Sequence, residues 1–231
     1  MNPAWRLRLL AARARRKAAA RSTAVDREEV ARREAAGRTF CDVCCMWKVD
    51  GRIAFVAEEA GATGVTGVDV MPASERFEAE RARRDSRVRF VQGDLHDEAV
   101  VAEVGPHQVV WCTGVLYHSP YPLLTLARLR AITTERLILQ TMTIPELPGV
   151  RQGTVLYAGL DERERRLYDL WDAAAREGIA ESVQVSDARA FSPWWWGITR
   201  SALRSMLRGA GFEPEQEWGD PFSVHVIARP V

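Results

Sequence analysis

Residues 39–71 decide the fold, and they read TFCDVCCMWKVDGRIAFVAEEAGATGVTGVDVM. Two apolar runs in this stretch, Thr39–Cys45 and Val65–Val70, have the composition and length of buried strands. Between them, Gly51–Ala60 has apolar residues at helical spacing. A strand, a helix and a second strand over about 30 residues predict a right-handed βαβ unit with parallel strands.

The alternation continues outward from this unit as far as residue 141. We predict helices at Ala73–Arg84, Asp97–Val104 and Pro122–Ile132, and strands at Val88–Gln92, Gln108–Cys112 and Arg136–Thr141. Later in the chain, a helix capped by Thr199 runs to Arg208, and two last strands follow at Glu213–Trp218 and Ser223–Ala228. The pattern predicts an α/β fold, in which a mostly parallel, seven-stranded sheet is covered by helices on both faces.

Two segments lie outside this alternation. Residues 1–38 are rich in Ala, Arg and Glu and predict an N-terminal helical extension of two helices, broken near Ser22–Thr23. Residues 143–197 contain prolines, a charged helix at Glu162–Arg176 and the run Trp194-Trp195-Trp196. We interpret this second segment as a lid inserted into a domain that spans residues 39–231.

Composition limits the classes of function. The chain has 231 residues, 47% of them hydrophobic and 27% charged, with a formal net charge of +1. That balance is typical of a globular protein and makes a nucleic-acid partner unlikely. No apolar run reaches the roughly 18–20 residues that cross a bilayer, so we expect a cytoplasmic protein without a membrane partner. The first 21 residues are basic and have no acid. They favour a solvated helix face or a homodimer contact over binding to RNA phosphates.

The four cysteines do not predict a metal site. Cys41, Cys44 and Cys45 fall in the first predicted strand, and Cys112 falls in another. Neighbouring residues of a strand point to opposite faces, so these thiols would not converge on one ion. We expect no metal, and we interpret the cysteines as small buried hydrophobic residues.

The ends of the predicted strands carry the chemistry, because ligands of open α/β sheets bind beyond the carboxyl ends of the strands. The first strand leads into the loop Asp42-Val43-Cys44-Cys45-Met46-Trp47-Lys48. The second ends in Gly-Val-Asp69-Val70 and the third in Gly-Asp94-Leu95. The fourth leads into Thr113-Gly114-Val115-Leu116-Tyr117-His118.

These segments, over roughly residues 38–142, resemble the class I, Rossmann-like methyltransferases that use S-adenosylmethionine (SAM) as the cofactor. The resemblance is weaker over 194–230. It implies that Asp69 holds the ribose hydroxyls, that Asp94 accepts from the adenine amine and that Leu95 donates a backbone N–H to the base. It also implies that Asp42 orients the first loop. Cofactor contacts are then expected from the loop and from the residues beside these positions: Cys44, Cys45, Met46, Lys48, Val70, Thr113 and Gly114.

The first loop departs from the family pattern, Asp-x-Gly-x-Gly-x-Gly. Cys44 stands at a usual glycine, and Met46 and Lys48 stand at others; glycine there permits positive φ and close approach of the backbone to the cofactor. Lys48 has three interpretations: it pairs with the SAM carboxylate or a substrate acid, it pairs with Asp50, or it is exposed to solvent. A further alternative is that the loop no longer binds SAM productively.

Acceptor residues are predicted on the other side of the methyl group. His118 is the candidate general base or orienting group, since a histidine of near-neutral pKa can take a proton from an alcohol, phenol or amine. Tyr117 either lines the acceptor site or packs. Trp47, Trp195 and Trp196 are candidates to contact a planar acceptor, or to form an apolar plug.

The predicted function is transfer of a methyl group from SAM to an oxygen or nitrogen of a small molecule, in bacterial secondary metabolism. One alternative is a tRNA-modifying (carboxy)methyltransferase, because the Gly-Val-Leu-Tyr-His segment also resembles that family. A second alternative is a non-catalytic methyltransferase-like partner subunit, which the altered loop favours.

Overall fold

The computed structural model describes residues 26–156 and 195–231, the strand segments 183–186 and 189–191, and positions 4, 7, 8, 10, 11 and 14. The predicted helix Glu162–Arg176, the residue Trp194 and most of the basic segment at the N-terminus lie outside the described residues.

The main sheet has seven strands, as predicted. They are β1 (Thr39–Val43), β2 (Gly64–Asp69), β3 (Arg89–Gln92), β4 (His107–Thr113), β5 (Thr133–Met142), β10 (Phe212–Asp220) and β11 (Ser223–Pro230). Their order across the sheet is β10-β11-β5-β4-β1-β2-β3. Strand β11 is antiparallel to both of its neighbours, and the pairings among β1 to β5 are all parallel. The predicted fold class is therefore confirmed.

Six helices cover the sheet in the described residues. They are α1 (Arg27–Ala35), α2 (Arg52–Glu59), α3 (Glu75–Arg84), α4 (Glu98–Val104), α5 (Pro122–Ile132) and α6 (Arg200–Gly209). The cap predicted at Thr199 is present, since its hydroxyl accepts from the Ala202 N–H at 3.2 Å; Asp26 caps α1 in the same way. Short polar side chains at these positions satisfy N–H groups that have no partner inside the helix.

The alternation of side chains along the strands divides the core into two layers. Cys41 and Cys112 pack in a cluster with residues of α4, α5 and α6. Phe40 and Trp111 pack on the opposite face, with residues of α1, α2 and α3. Both faces are therefore covered, which explains why the central strands are apolar in nearly every position.

One predicted boundary is wrong in a way that matters for the site. The first strand was expected to run through Cys45, but β1 ends at Val43, and Cys44 adopts a left-handed conformation with φ of 65°. The Cys44 N–H makes the last bond of the β1–β2 ladder, donating to the Val68 carbonyl at 2.8 Å, and the left-handed backbone of Cys44 then turns the chain out of the sheet. Cys44 and Cys45 belong to the loop.

The segment predicted as a lid begins and ends at neighbouring points of the fold. Strand β6 (Thr154–Leu156) is antiparallel to β9 (Trp196–Ile198), and β7 (Val183–Ser186) is antiparallel to β8 (Arg189–Phe191). The Thr199 N–H and hydroxyl both donate to the Gly153 carbonyl. Among the described residues, no helix combines the length and apolarity that crossing a membrane requires.

Candidate cofactor and acceptor site

A cavity of about 340 Å³ opens beyond the carboxyl ends of β1, β2, β3 and β4. This volume is in the range of small-molecule sites. Ten residues predicted for the site line it: Cys44, Trp47, Asp69, Val70, Asp94, Leu95, Thr113, Gly114, Tyr117 and His118. The topology explains why these residues lie around one cavity, because parallel strands bring their carboxyl ends to one edge of the sheet.

The loop after β1 keeps the backbone that glycine would adopt, although it has few glycines. Cys44, Lys48 and Asp50 have φ of 65°, 56° and 45°, and Gly51 has φ of 72°. An L-residue in this region costs about 1–2 kcal/mol. The surrounding contacts therefore impose the turn on Cys44 and Lys48, at the positions where the family pattern has glycine.

Asp42 lies beneath this loop and does not line the cavity. Its residue is 3% exposed, and its Oδ2 accepts from the Ala54 N–H in α2 at 3.2 Å. Burial raises the pKa of Asp42 to about 7, although the Ala54 N–H and the Arg27 guanidinium lower it. The carboxyl thus ties β1 to α2 on either side of the loop, which agrees with an orienting role.

Asp69 joins the loop to the end of β2. Its Oδ2 accepts from the Met46 N–H at 2.7 Å, and its Oδ1 accepts from the Met71 N–H at 2.9 Å. Burial raises its pKa, whereas the backbone donors and the Cys44 thiol lower it. These donors hold the Asp69 carboxylate in place at the end of β2, where it lines the cavity.

The cavity wall after β4 is a short turn. Gly114 has φ of 81°, and its N–H donates to the Gln140 carbonyl at 3.1 Å. A 3-10 turn at Leu116–His118 follows, in which the Tyr117 and His118 rings lie with centroids 4.0 Å apart. Burial raises the pKa of the Tyr117 hydroxyl, so Tyr117 remains a neutral phenol at physiological pH.

Some residues predicted for the site do not line the cavity. Cys45 and Met46 are buried in the core, where Met46 contributes only its backbone N–H to Asp69. Lys48 is exposed, with its ammonium 6.0 Å from the Trp47 ring centroid. Asp50, a partner considered for Lys48, accepts from the Ser74 hydroxyl at 2.6 Å.

The two tryptophans support the acceptor wall from behind. The Trp195 N–H donates to the Tyr117 carbonyl at 2.9 Å, and the Trp196 indole N–H donates to the Pro120 carbonyl at 3.2 Å. Neither residue is among those that line the cavity. They hold the segment that carries Tyr117 and His118, which agrees with the interpretation of an apolar plug.

Sequence reasoning missed five polar residues that line the cavity: Arg27, His96, Ser119, Thr125 and Gln140. Arg27, at the start of α1, donates from Nη2 to the Thr113 hydroxyl at 2.5 Å, and its guanidinium lies 5.8 Å from the Trp111 ring centroid. His96 is buried and lines the cavity beside Asp94. No motif marks Arg27. His96 had one available signal, its position two residues after an acid at a strand end.

Comparison with known proteins gives the fold a name. The sequence matches no family model and no curated protein. Among solved structures, the N-terminal domain of EvdMO1 with bound S-adenosylhomocysteine (SAH) is similar, with a TM-score of 0.59 at 17% identity over 90% of this chain and 81% of that one.

Two further solved structures are similar over most of both chains. Magnesium protoporphyrin IX methyltransferase from Synechocystis PCC 6803 with bound SAH has a TM-score of 0.54 at 19% identity, over 87% of this chain and 78% of that one. The 1,6-didemethyltoxoflavin-N1-methyltransferase of Burkholderia thailandensis, with bound 1,6-didemethyltoxoflavin and SAH, has a TM-score of 0.55 at 17% identity, over 88% and 79%. With the strand order and the antiparallel β11, these likenesses show that the chain has the class I, Rossmann-like methyltransferase fold.

Proposed function

We propose that this protein is a SAM-dependent methyltransferase that acts on an oxygen or nitrogen atom of a small molecule. One observation carries the proposal: a single cavity brings together Asp69 and Asp94 at the ends of β2 and β3 with Gly114 and His118 after β4. The small-molecule class is supported by the net charge of +1 and by the toxoflavin-related compound in a similar structure.

The described residues fit such a cofactor. Asp69 and Asp94 are carboxylates at the cavity wall, suited to accept from ribose hydroxyls and from a base amine. Leu95, next to Asp94 in the chain, also lines the cavity. The cofactor supplies a methyl group that its sulfonium already activates.

Helix α1 supplies a cation, Arg27, that can pair with a carboxylate of the ligand. Lys48 was one candidate for this role, but it is exposed and is not among the lining residues. Arg27 lines the cavity and lies next to Thr113, on the side of Gly114. We therefore assign the methionine carboxylate to Arg27 in place of Lys48.

The residues after β4 act on the acceptor. Alignment of the acceptor with the methyl group, and exclusion of water, contribute most of the rate in a transfer of this kind. His118 is placed to take the proton of an alcohol or amine, or to orient it. Tyr117 is a neutral phenol, so it donates a hydrogen bond and does not act as the base.

The test is calorimetric titration with SAH. We expect binding by the native protein, and a loss of at least tenfold in affinity for Asp69→Asn, because the amide cannot accept as a charged carboxylate does. Asp85→Asn is the matched control. It removes the same charge from a residue that is exposed at the end of α3.

A non-catalytic partner subunit is the second candidate, and the non-glycine residues in left-handed conformations at Cys44 and Lys48 favour it. It predicts no binding heat and no thermal shift with SAH. If the native protein binds SAH and Asp69→Asn binds it with the same affinity, Asp69 does not recognise the ribose.

A further inference from the structure

A chain of four polar side chains forms the wall of the cavity between β3 and α5. Asp94, His96, Ser119 and Thr125 all line the cavity. His96, Ser119 and Thr125 are 8%, 1% and 4% exposed. Neither the predicted site nor the proposed function gives a role to the last three.

The distances connect these side chains in sequence. His96 Nδ1 lies 3.3 Å from Asp94 Oδ1, which also accepts from the His96 backbone N–H at 2.9 Å. On the other side of the ring, His96 Nε2 lies 2.8 Å from Thr125 Oγ1. Thr125 Oγ1 in turn donates to Ser119 Oγ at 2.7 Å, and Ser119 Oγ accepts from the Tyr121 N–H at 3.1 Å.

His96 is held on both sides of its ring. Nε2 lies near two hydroxyls, Thr125 Oγ1 at 2.8 Å and Ser119 Oγ at 3.5 Å, and Thr125 Oγ1 also lies 3.2 Å from the Tyr121 carbonyl. A hydroxyl can donate or accept, so these groups satisfy Nε2 in either tautomer of the ring. On the other side, a hydrogen on Nδ1 faces the Asp94 carboxylate, whereas a lone pair there would repel it, so the tautomer with its hydrogen on Nδ1 suits both sides.

His96 Nδ1 is also a buried atom without a hydrogen-bond partner among the described residues, because its contact with Asp94 is close in distance but poor in angle. A buried polar atom without a partner costs about 1–3 kcal/mol. A small rotation of the Asp94 carboxylate gives Nδ1 its acceptor, and a ligand that engages Asp94 from the cavity would favour that rotation.

We propose that His96 is a positioning residue that holds the Asp94 carboxylate oriented to read the exocyclic amine of an adenine ring, with Thr125 and Ser119 fixing the imidazole. The proposal rests on the proposed function, since it deepens the recognition of the nucleoside at the same site. It makes a specific claim about the base: a 6-amino purine is favoured over a 6-oxo purine, and His96 Nδ1 is required for that preference.

Two substitutions distinguish the roles of the two ring nitrogens of His96. His96→Asn keeps an N–H donor near the place of Nδ1 and loses the contact with Thr125. His96→Gln reaches toward Thr125 and loses the donor that faces Asp94. Each variant is titrated with SAH and with S-inosylhomocysteine, which has an oxygen in place of the 6-amino group.

We expect the native protein to prefer SAH by about tenfold or more, the size of a hydrogen bond to a charged group. We expect His96→Asn to keep part of that preference, because it retains the donor toward Asp94 and loses the contact with Thr125. We expect His96→Gln to lose most of that preference through weaker SAH binding, with S-inosylhomocysteine little affected. The reverse ranking, with the preference kept in His96→Gln and lost in His96→Asn, would show that the ring serves only to pack against Thr125 and would overturn the proposal.

If the variants at 96 fail to fold, Thr125→Val tests the same chain of contacts at nearly constant volume. It should reduce the preference for SAH by several-fold, and an unchanged preference would overturn the proposal. A native protein that binds neither compound contradicts the proposed function itself. A native protein that binds SAH while every variant retains the preference contradicts only the role of His96.

Discussion

The substitution Asp42→Asn tests whether a buried carboxyl group under the first loop makes the fold less stable as the pH rises. Burial raises the pKa of Asp42 from its ordinary 3.8 to about 7 in the folded chain. Between these values the unfolded chain releases the proton and the folded chain keeps it. Stability from this group is therefore fully present below about pH 4 and is lost as the pH rises through about 7.

The magnitude follows from the gap between the two pKa values. At about 1.4 kcal/mol per pH unit, the full effect is about 4 kcal/mol, and about 2–3 kcal/mol of it falls between pH 5 and pH 8. Asn has no proton to release, and its carbonyl oxygen can still accept from the Ala54 N–H. Asp42→Asn should therefore gain stability relative to the native protein by about 2–3 kcal/mol more at pH 8 than at pH 5.

The assay is urea denaturation at both pH values, followed by the fluorescence of the eight tryptophans. Asp85→Asn serves again as the control, because it removes one exposed carboxylate and leaves the buried one in place. The reasoning is refuted if Asp42→Asn keeps the same dependence of unfolding free energy on pH as the native protein.

The remaining predictions concern the backbone of the loop and the acceptor wall. Cys44→Val should be less stable than Cys44→Gly by roughly 1–2 kcal/mol, because a β-branched side chain is strained at φ of 65°; equal urea midpoints would contradict this. Gly51→Ala should lower the free energy of unfolding by at least about 2 kcal/mol, because the new Cβ would clash with the Phe77 ring and the φ of 72° is strained for alanine. Gly61→Ala should lower it by about 1 kcal/mol, because its φ of 85° is also strained but the space around it is open. Equal thermal shifts for these two would show that the Phe77 contact yields easily. Tyr117→Phe should lower kcat for methyl transfer by less than about tenfold and leave the pH–rate profile unchanged, since the hydroxyl stays protonated. Loss of a rise in rate toward alkaline pH would instead identify Tyr117 as the base.

Much of the fold could be predicted because its signals are local. The alternation of apolar strands and amphipathic helices is visible within short windows, and a strand buried on both faces has little freedom to be polar. The predicted helix Pro122–Ile132 agrees with the structure at both ends. The predicted β1 does not, because Cys44 and Cys45 are as apolar as a strand requires, and only the left-handed backbone of Cys44 in the folded chain shows where the strand ends.

The sequence by itself determined the succession of parallel strands along the chain and which acids end them, and therefore that Asp69 and Asp94 lie at one edge of the sheet. Only the tertiary structure decided which side chains of the neighbouring segments face the cavity. A left-handed turn at Cys44 sends Cys45 into the core and Lys48 to solvent, while α1 brings Arg27 to Thr113 from outside any strand motif. The physical reason is that backbone turns and contacts between distant elements set side-chain direction, and neither leaves a local periodic signal in the chain.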